Sequence, residues 1–488
     1  MIHWLTAAFI VIAFVIFLRL FGLVDKSREV INTSRRSLGV IRSASLTDDE
    51  KEAELQKNAK RLFHLFFMII SRGVVAAFLP LGCLWLCDKI ELISLASTLD
   101  IAMSIPFLVG SCILVILVFW ISSGKTQETS DYSFLDRVMH RVAFRTSVAQ
   151  IALADMEDKI FSGKIAEGDV SRPVFITSLP RAGTTLLLEC LAGSNQFASH
   201  CYEDMPFVLI PCLWRGFSGM FRKSKVSRER THGDGMLINP ASPEALEEVI
   251  WKVFWKNHYR KDRIILWDEE KNEEFEEFFR NHMKKIIFLR GGYDVKSMRY
   301  VSKNNLNIAR ISYLHHMFPD SFILVPFRCP LDHAASMMEQ HRNFLRIHKL
   351  DSFASDYMRY IGHYDFGENL RPVDFGGWLD KKISDDAETL SFWMEYWVTC
   401  YHYLLENYSD LLHFVSYEDF CDKPEETLKI ISEKVEISNP EKLISEAKKI
   451  RSPKKRDLGI TDIPASLYER AEHLHTTLKT NAINSNGS

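Results

Sequence analysis

The apolar positions are unevenly spread along the chain. Three long apolar runs stand in its first quarter: Ile2–Val24, with His3 at its start and Arg19 near its end; Leu62–Cys87, interrupted only by His64 and Arg72; and Ile101–Ile121, which carries no charge. A hydrocarbon core about 30 Å thick is crossed by about 20 apolar residues. The pattern therefore predicts about three transmembrane helices within residues 1–123. Arg19 would snorkel to the interface, and the second helix would either tolerate Arg72 or break near Pro80 and Gly82. The first run does not suit a cleaved signal peptide, because no basic segment precedes it, Arg19 interrupts it and no A-x-A-like site follows.

Beyond residue 124 short apolar runs alternate with helical periodicity. Pro173–Leu179, Phe322–Phe327 and Leu412–Ser416 are predicted strands, each followed by a helix: one starting at Thr184, one over about Leu331–Arg342, and one from Pro424, which suits a first helical turn. Strand–helix repetition predicts an α/β fold with a parallel sheet covered on both faces. The domain organisation expected is a membrane region over 1–123 and a catalytic domain over 124–488. Ligands of such sheets bind beyond the carboxyl ends of the strands, so chemistry is sought just after each strand. The polar tail after about Thr476 is expected to fray.

Charge adds sidedness. The segment Asp25–Arg61 holds nine Lys/Arg, whereas Asp88–Asp100 holds only Lys89. The positive-inside bias puts 25–61 in the cytoplasm, and three spans then put the large region there too. Overall the 488 residues balance 60 Lys+Arg against 63 Asp+Glu, which gives no whole-chain case for nucleic acid. The nine cysteines are odd in number and lack any framework or zinc spacing. Asn32, Asn407 and Asn486 open matches to the glycan acceptor pattern, which arise often by chance. Trp251, Trp255, Trp393 and Trp397 recur at i,i+4 and read as helix-face packing. The acidic run Asp268–Glu277 reads as a solvated helix face, and Lys454–Arg456 as a surface patch.

After the first strand comes Ser178-Leu-Pro-Arg-Ala-Gly-Thr-Thr185. A short loop entering a helix offers unpaired backbone N–H groups and a positive dipole end, which suit a phosphate or sulfate. Gly183 lets the backbone approach closely, Thr184 and Thr185 add hydroxyls, and Arg181 adds a forked cation. The nucleotide-hydrolase loop G-x-x-x-x-G-K-[ST] is not matched, since its first Gly and its Lys are both missing. After the second strand, Arg328 and Ser336 lie at a strand end and in the following helix, where both can reach one anion.

Together these two segments resemble the signature of sulfotransferases that use 3′-phosphoadenosine 5′-phosphosulfate (PAPS), in the Golgi and bacterial carbohydrate-type branch. The resemblance covers roughly Arg172–Lys455 and implies a sulfotransferase-like fold with a P-loop-like sheet. It implies that Arg181, Ala182, Gly183, Thr184 and Thr185 hold the 5′-phosphosulfate and that Arg328 and Ser336 hold the 3′-phosphate. Val415–Phe420 resembles the family's Tyr-Glu-Asp strand end, which puts Tyr417 at the nucleotide. Arg299-Tyr-Val-Ser-Lys303 resembles the segment that brings a Lys to the transferring group, although the usual following Pro is missing. Ser242–Glu248 and Gly362–Gly367 resemble weaker features of the branch. The implied activity moves a sulfuryl group from PAPS to an acceptor hydroxyl, leaves adenosine 3′,5′-bisphosphate and needs no metal. By analogy with phosphoryl transfer, Arg181 and Lys303 would neutralise developing charge.

A base is also required. Glu203 lies about 20 residues past the loop, where protein-tyrosine sulfotransferases place a catalytic Glu, and His200 and His363 remain open as alternatives. Three spans fit an acceptor at the membrane, such as a glycan-bearing lipid, although anchoring alone also explains them. Two other readings stand beside the enzyme: an ATP-dependent small-molecule kinase of related fold, against which the missing loop Lys counts, and a catalytically inactive membrane scaffold, against which Arg181, Arg328 and Ser336 count.

Overall fold

The computed structural model describes residues 48–89, 94–102 and 147–484, except 219–227, 230–236, 268–270, 292–297, 382–385 and 452–462, together with isolated positions nearer the N-terminus and before 147. The chain forms two compact units, 1–129 and 130–488.

In the first unit a single helix runs over Asp48–Lys89 and passes through Pro80 unbroken, so of the two alternatives it is the one that keeps Arg72 within the helix. Its part Glu54–Pro80 has 27 residues, includes an 18-residue stretch with a mean hydropathy of 2.0, and is by length and composition apolar enough to cross a membrane. Phe63, Phe66, Phe67 and Phe78 on it are all exposed. Arg72, the charge within this run, donates to the Phe21 carbonyl at 2.7 Å. Of the three spans expected from the sequence, this is the one among the described residues; most of 2–24 and 101–121 lies outside them. The basic segment 25–61 is not all connection, since helix begins at Asp48 within it.

The second unit is built on a parallel sheet of five strands in the order β2-β5-β1-β6-β7. These are β1 (Val174–Ile176), β2 (Phe197–Ala198), β5 (Arg299–Lys303), β6 (Phe322–Phe327) and β7 (Leu412–Ser416), while β3 (Arg228–Glu229) and β4 (Leu237–Ile238) form a separate antiparallel pair. β6 and β7 occupy the predicted spans, and β1 is shorter than Pro173–Leu179 because the chain turns away after Ile176 to make the loop. β5 and β2 were not foreseen as strands. β5 has charged ends that break its apolar pattern, and β2 has only two residues.

Both faces of the sheet are covered, which accounts for the near-continuous apolar strands. Val174, Ile176, Val301, Leu324 and Val415 face Leu187, Leu188, Leu191, Leu428 and Ile431. Phe175, Tyr300, Ile323 and Val325 face a larger core that takes in Trp251, Trp255, Trp393 and Trp397, so the tryptophans are packing residues as expected. The helix Pro330–Leu350 follows β6 and outruns the predicted Arg342 end. The C-terminal tail departs from expectation. Ala465–Asn481 is helical, Ile483 N donates to the Phe414 carbonyl at 2.9 Å, and buried Asn484 exchanges hydrogen bonds with the Ser416 backbone. A strand edge was open there, and the tail closes it.

One buried charge pair organises the carboxyl end of β5. Arg310 is fully buried and donates to both carboxylate oxygens of Glu248 at 3.0 Å. Its guanidinium lies between the rings of Trp251 (4.2 Å) and Trp267 (4.4 Å). Asn304 donates to Glu248 at 2.7 Å, and the Tyr259 hydroxyl donates to it as well. Removing one partner of a buried pair strands the other charge. Arg310→Met should therefore lower unfolding free energy by about 3–5 kcal/mol, and adding Glu248→Gln should recover part of that loss. Urea unfolding of the full chain in detergent, followed by tryptophan fluorescence, checks this; an undiminished midpoint in Arg310→Met would refute it.

Candidate functional site

The site forms where β1 and β6 run side by side. Val174, Phe175 and Ile176 pair with Phe322, Ile323 and Leu324, so the segments that leave the two strands meet beyond their carboxyl ends. The loop after β1 is bent by residues with positive φ: Arg181 at 74° and Gly183 at 96°. Gly183 is required twice over, since a Cβ there would also come within 2.4 Å of Tyr417 Cδ2. The helix Thr184–Gly193 then starts behind Gly183, which gives it no side-chain cap.

Several contacts bind this loop to the second segment. Arg328 donates to the Arg181 carbonyl at 3.3 Å, and Arg181 Nε reaches Ser336 Oγ at 3.4 Å. His333 holds the Pro180 carbonyl at 2.9 Å. The indole N–H of Trp397 donates to His333 Nδ1 at 3.2 Å, so Nε2 carries the hydrogen that Pro180 accepts. Burial lowers the His333 imidazole to about 3, with the nearby Arg328 and Arg181 adding to the effect. It is a neutral, fixed donor. Ser178 Oγ donates to the Pro326 carbonyl at 2.6 Å and lies 2.7 Å from the Tyr401 hydroxyl, which fastens the start of the loop.

Tyr417 begins the helix Tyr417–Asp422 after β7. Its ring backs Gly183, and the Arg328 guanidinium lies 4.8 Å from the ring centre. Burial pushes the Tyr417 hydroxyl up to about 12. Beside it Glu418 accepts from the Cys329 N–H at 3.0 Å and lies 4.0 Å from Arg328 Nε. Burial raises the Glu418 carboxyl above the usual range. The structure thus gathers Arg181, Gly183, Thr184, Arg328, Ser336 and Tyr417 around one loop. Ala182 is fully buried and can offer only backbone. Lys303, the last residue of β5, pairs in register with Ile176, the last residue of β1, and so stands at the same edge. Thr185 is the second residue of the uncapped helix.

Glu203 belongs to a second cluster. It sits in the turn Tyr202–Asp204, and its carboxylate lies 3.5 Å from Arg290 and 3.7 Å from Arg215. Asp204 below it binds Arg290 and accepts from the Cys201 N–H at 2.9 Å. His200 is buried there, with its Nε2 3.2 Å from that of His282. The sequence reading did not single out Asn305 and Asp365. Asn305 accepts from Thr184 Oγ1 at 3.4 Å and donates to Asp365 at 3.0 Å, and His363 Nε2 lies 3.7 Å from the same Asp365 oxygen. Their sequence signal is weak: an Asn two residues past a strand-end Lys, and an Asp between two glycines. Lys454–Arg456 lies outside the described residues. Among the described residues no group of three or more His, Cys, Asp or Glu side chains is arranged to hold a metal ion.

No curated protein matches this sequence. Among solved structures, a sulfotransferase from Mycobacterium tuberculosis H37Rv is similar at 14% identity and a TM-score of 0.38, covering 72% of this chain and 88% of that one. One from Mycobacterium avium is similar at 12% identity and a TM-score of 0.37, covering 66% of this chain and 81% of that one. A sulfotransferase domain from the curacin biosynthetic pathway is similar at 14% identity and a TM-score of 0.29, covering 64% of this chain and 98% of that one. Residues 173–368 match the model described as the sulfotransferase family. That region carries the loop after β1, the end of β5 and the Arg328–Ser336 segment, so the part of the chain that holds the candidate site is similar to the sulfotransferase family.

Proposed function

We propose that the protein transfers a sulfuryl group from PAPS to an acceptor hydroxyl and releases adenosine 3′,5′-bisphosphate. The observation that carries this reading is the meeting of two cations and a hydroxyl, Arg181, Arg328 and Ser336, at the N-terminus of the helix Thr184–Gly193. In this reading the loop amides of 182–185 and the Thr184 and Thr185 hydroxyls seat the 5′-phosphate. Arg328 and Ser336 seat the 3′-phosphate, and Tyr417 supports Arg328 from below. Arg181 and Lys303 offset charge on the transferring group and on the oxygen it leaves. The reaction needs positioning and charge stabilisation more than covalent help from the protein. An ATP-dependent kinase would place a Lys before Thr184, where this chain has Gly183.

The exposed phenylalanines of Glu54–Pro80 support membrane anchoring of the enzyme, since a soluble unit would bury them. An acceptor of glycan or lipid class then lies within reach of an anchored domain. The Lys/Arg contrast between 25–61 and 88–100 supports a cytoplasmic catalytic domain.

Two experiments test the reading. Arg328→Ala should weaken adenosine 3′,5′-bisphosphate about tenfold to hundredfold, the worth of a charge-assisted hydrogen bond, and adenosine 5′-phosphate far less. Gly183→Ala, which displaces the loop itself, should weaken both nucleotides alike. Calorimetry on the full chain in detergent gives the answer, and equal weakening of both nucleotides by Arg328→Ala sinks the assignment. For sidedness, protease added to intact cells should leave the region after Ile121 uncut. Cleavage there would overturn the cytoplasmic placement.

A further inference from the structure

The segment that carries His363 and Asp365 is held more firmly than an ordinary loop. At its start Gly362 (φ 79°) lies so close to Glu248 that a Cβ would meet Glu248 Cγ at 2.3 Å. At its end the Gly367 N–H donates to His341 Nδ1 at 3.1 Å and the Glu368 N–H to His348 Nδ1 at 3.2 Å, both on the helix Pro330–Leu350. Between these supports Asp365 faces Asn305, and Asn305 takes the Thr184 hydroxyl. Hydrogen bonds of 3.4 and 3.0 Å therefore run from the helix N-terminus of the anion loop through Asn305 to Asp365, whose carboxylate lies 3.7 Å from His363 Nε2. Lys303, two residues before Asn305, stands at the same edge of the sheet.

We infer that His363 is the proton acceptor for the substrate hydroxyl, with Asp365 and Asn305 as positioning residues that tie it to the anion loop. The inference rests on the sulfuryl-transfer reading given above. Asp365, 3.7 Å from His363 Nε2, stabilises through its charge the imidazolium that forms. In the step, the acceptor oxygen forms a bond to sulfur and the bond from sulfur to the 5′-phosphate oxygen breaks. The electron pair of that bond leaves on the phosphate, and the hydroxyl proton passes to the His363 imidazole. Glu203 suits this task less well. Its negative charge already binds the guanidiniums of Arg215 and Arg290, and taking a proton would dissolve that cluster.

The test uses the full chain in detergent micelles. Diethyl pyrocarbonate modifies neutral imidazoles, and peptide mass spectrometry reports each histidine separately. With PAPS at about ten times its Kd, mass action leaves about a tenth of the sites open, so modification of His363 should slow about tenfold. Modification of exposed His402 should not change. With 2-naphthol as the hydroxyl probe, His363→Ala should lose about 10²–10⁴ in PAPS turnover, the usual worth of acid–base catalysis. Added imidazole should restore part of that loss, and it should restore none of any loss in Glu203→Gln. Calorimetry with adenosine 3′,5′-bisphosphate runs alongside. Normal nucleotide binding with no protection of His363 overturns the inference and leaves the nucleotide reading intact. Turnover lost in Glu203→Gln and retained in His363→Ala overturns it as well. Failure of the nucleotide to bind the wild-type chain removes both.

Discussion

The buried contact between Glu248 and Arg310 is the constraint on which the geometry of the site rests. A guanidinium with no solvent around it is tolerable only where a carboxylate and aromatic faces replace water, and here Glu248, Trp251 and Trp267 do so together. The carboxylate has more partners than this one cation. It also binds Asn304, which begins the turn leaving β5, and the methylenes behind it form the surface against which Gly362 is pressed. Two segments far apart in sequence, one bearing Asn305 and the other bearing His363 and Asp365, are thereby registered on one buried group. A shift of that group would move both sides of the polar chain at once.

The anion loop is fixed by different means. Its bends need positive φ at Arg181 and Gly183, and its carbonyls at Pro180 and Arg181 are tied down by a neutral histidine and an arginine. None of these contacts uses the N–H groups at the start of the helix Thr184–Gly193. The division has a physical logic. Carbonyl oxygens of a tight loop repel an anion and are engaged here by donors, while a helix N-terminus attracts one. His333 can do this because burial keeps it uncharged, so it supplies one directed donor and its tautomer is set by Trp397.

Legibility in the sequence followed the strength of local signals. β6 and β7 were readable because their runs are mostly apolar and each leads into a helix pattern, and the loop after β1 was readable because Arg, Gly and two Thr cluster between a strand and a helix. β5 was hidden because Arg299 and Lys303 close it with charges, although pairing with β1 and β2 makes it central. The C-terminal tail reads as polar and frayed, yet Asn484 is buried because its amide satisfies both backbone groups of Ser416, a match that no local pattern reveals. Arg310 and Glu248 gave no sign of their importance either. A buried ion pair is a relation between positions 62 residues apart, and composition cannot show it.

The same reasoning explains why the residues proposed to face the nucleotide were easier to name than the proposed proton acceptor. Anion binding depends on backbone amides and fixed cations, whose residue types and spacing are nearly dictated by a strand–loop–helix turn. A proton acceptor needs only one basic atom at the right place, and a Glu or a His on any nearby segment can supply it. Sequence offset favoured Glu203 on that ground. The structure adds what an offset cannot, namely which charges each candidate already serves. Glu203 is held by Arg215 and Arg290, whereas His363 is held by a carboxylate that is itself linked through Asn305 to Thr184. A base must change its charge during turnover, and that change is tolerated best where the neighbours gain from it. An imidazolium beside Asp365 meets that condition, since the positive charge appears next to a negative one.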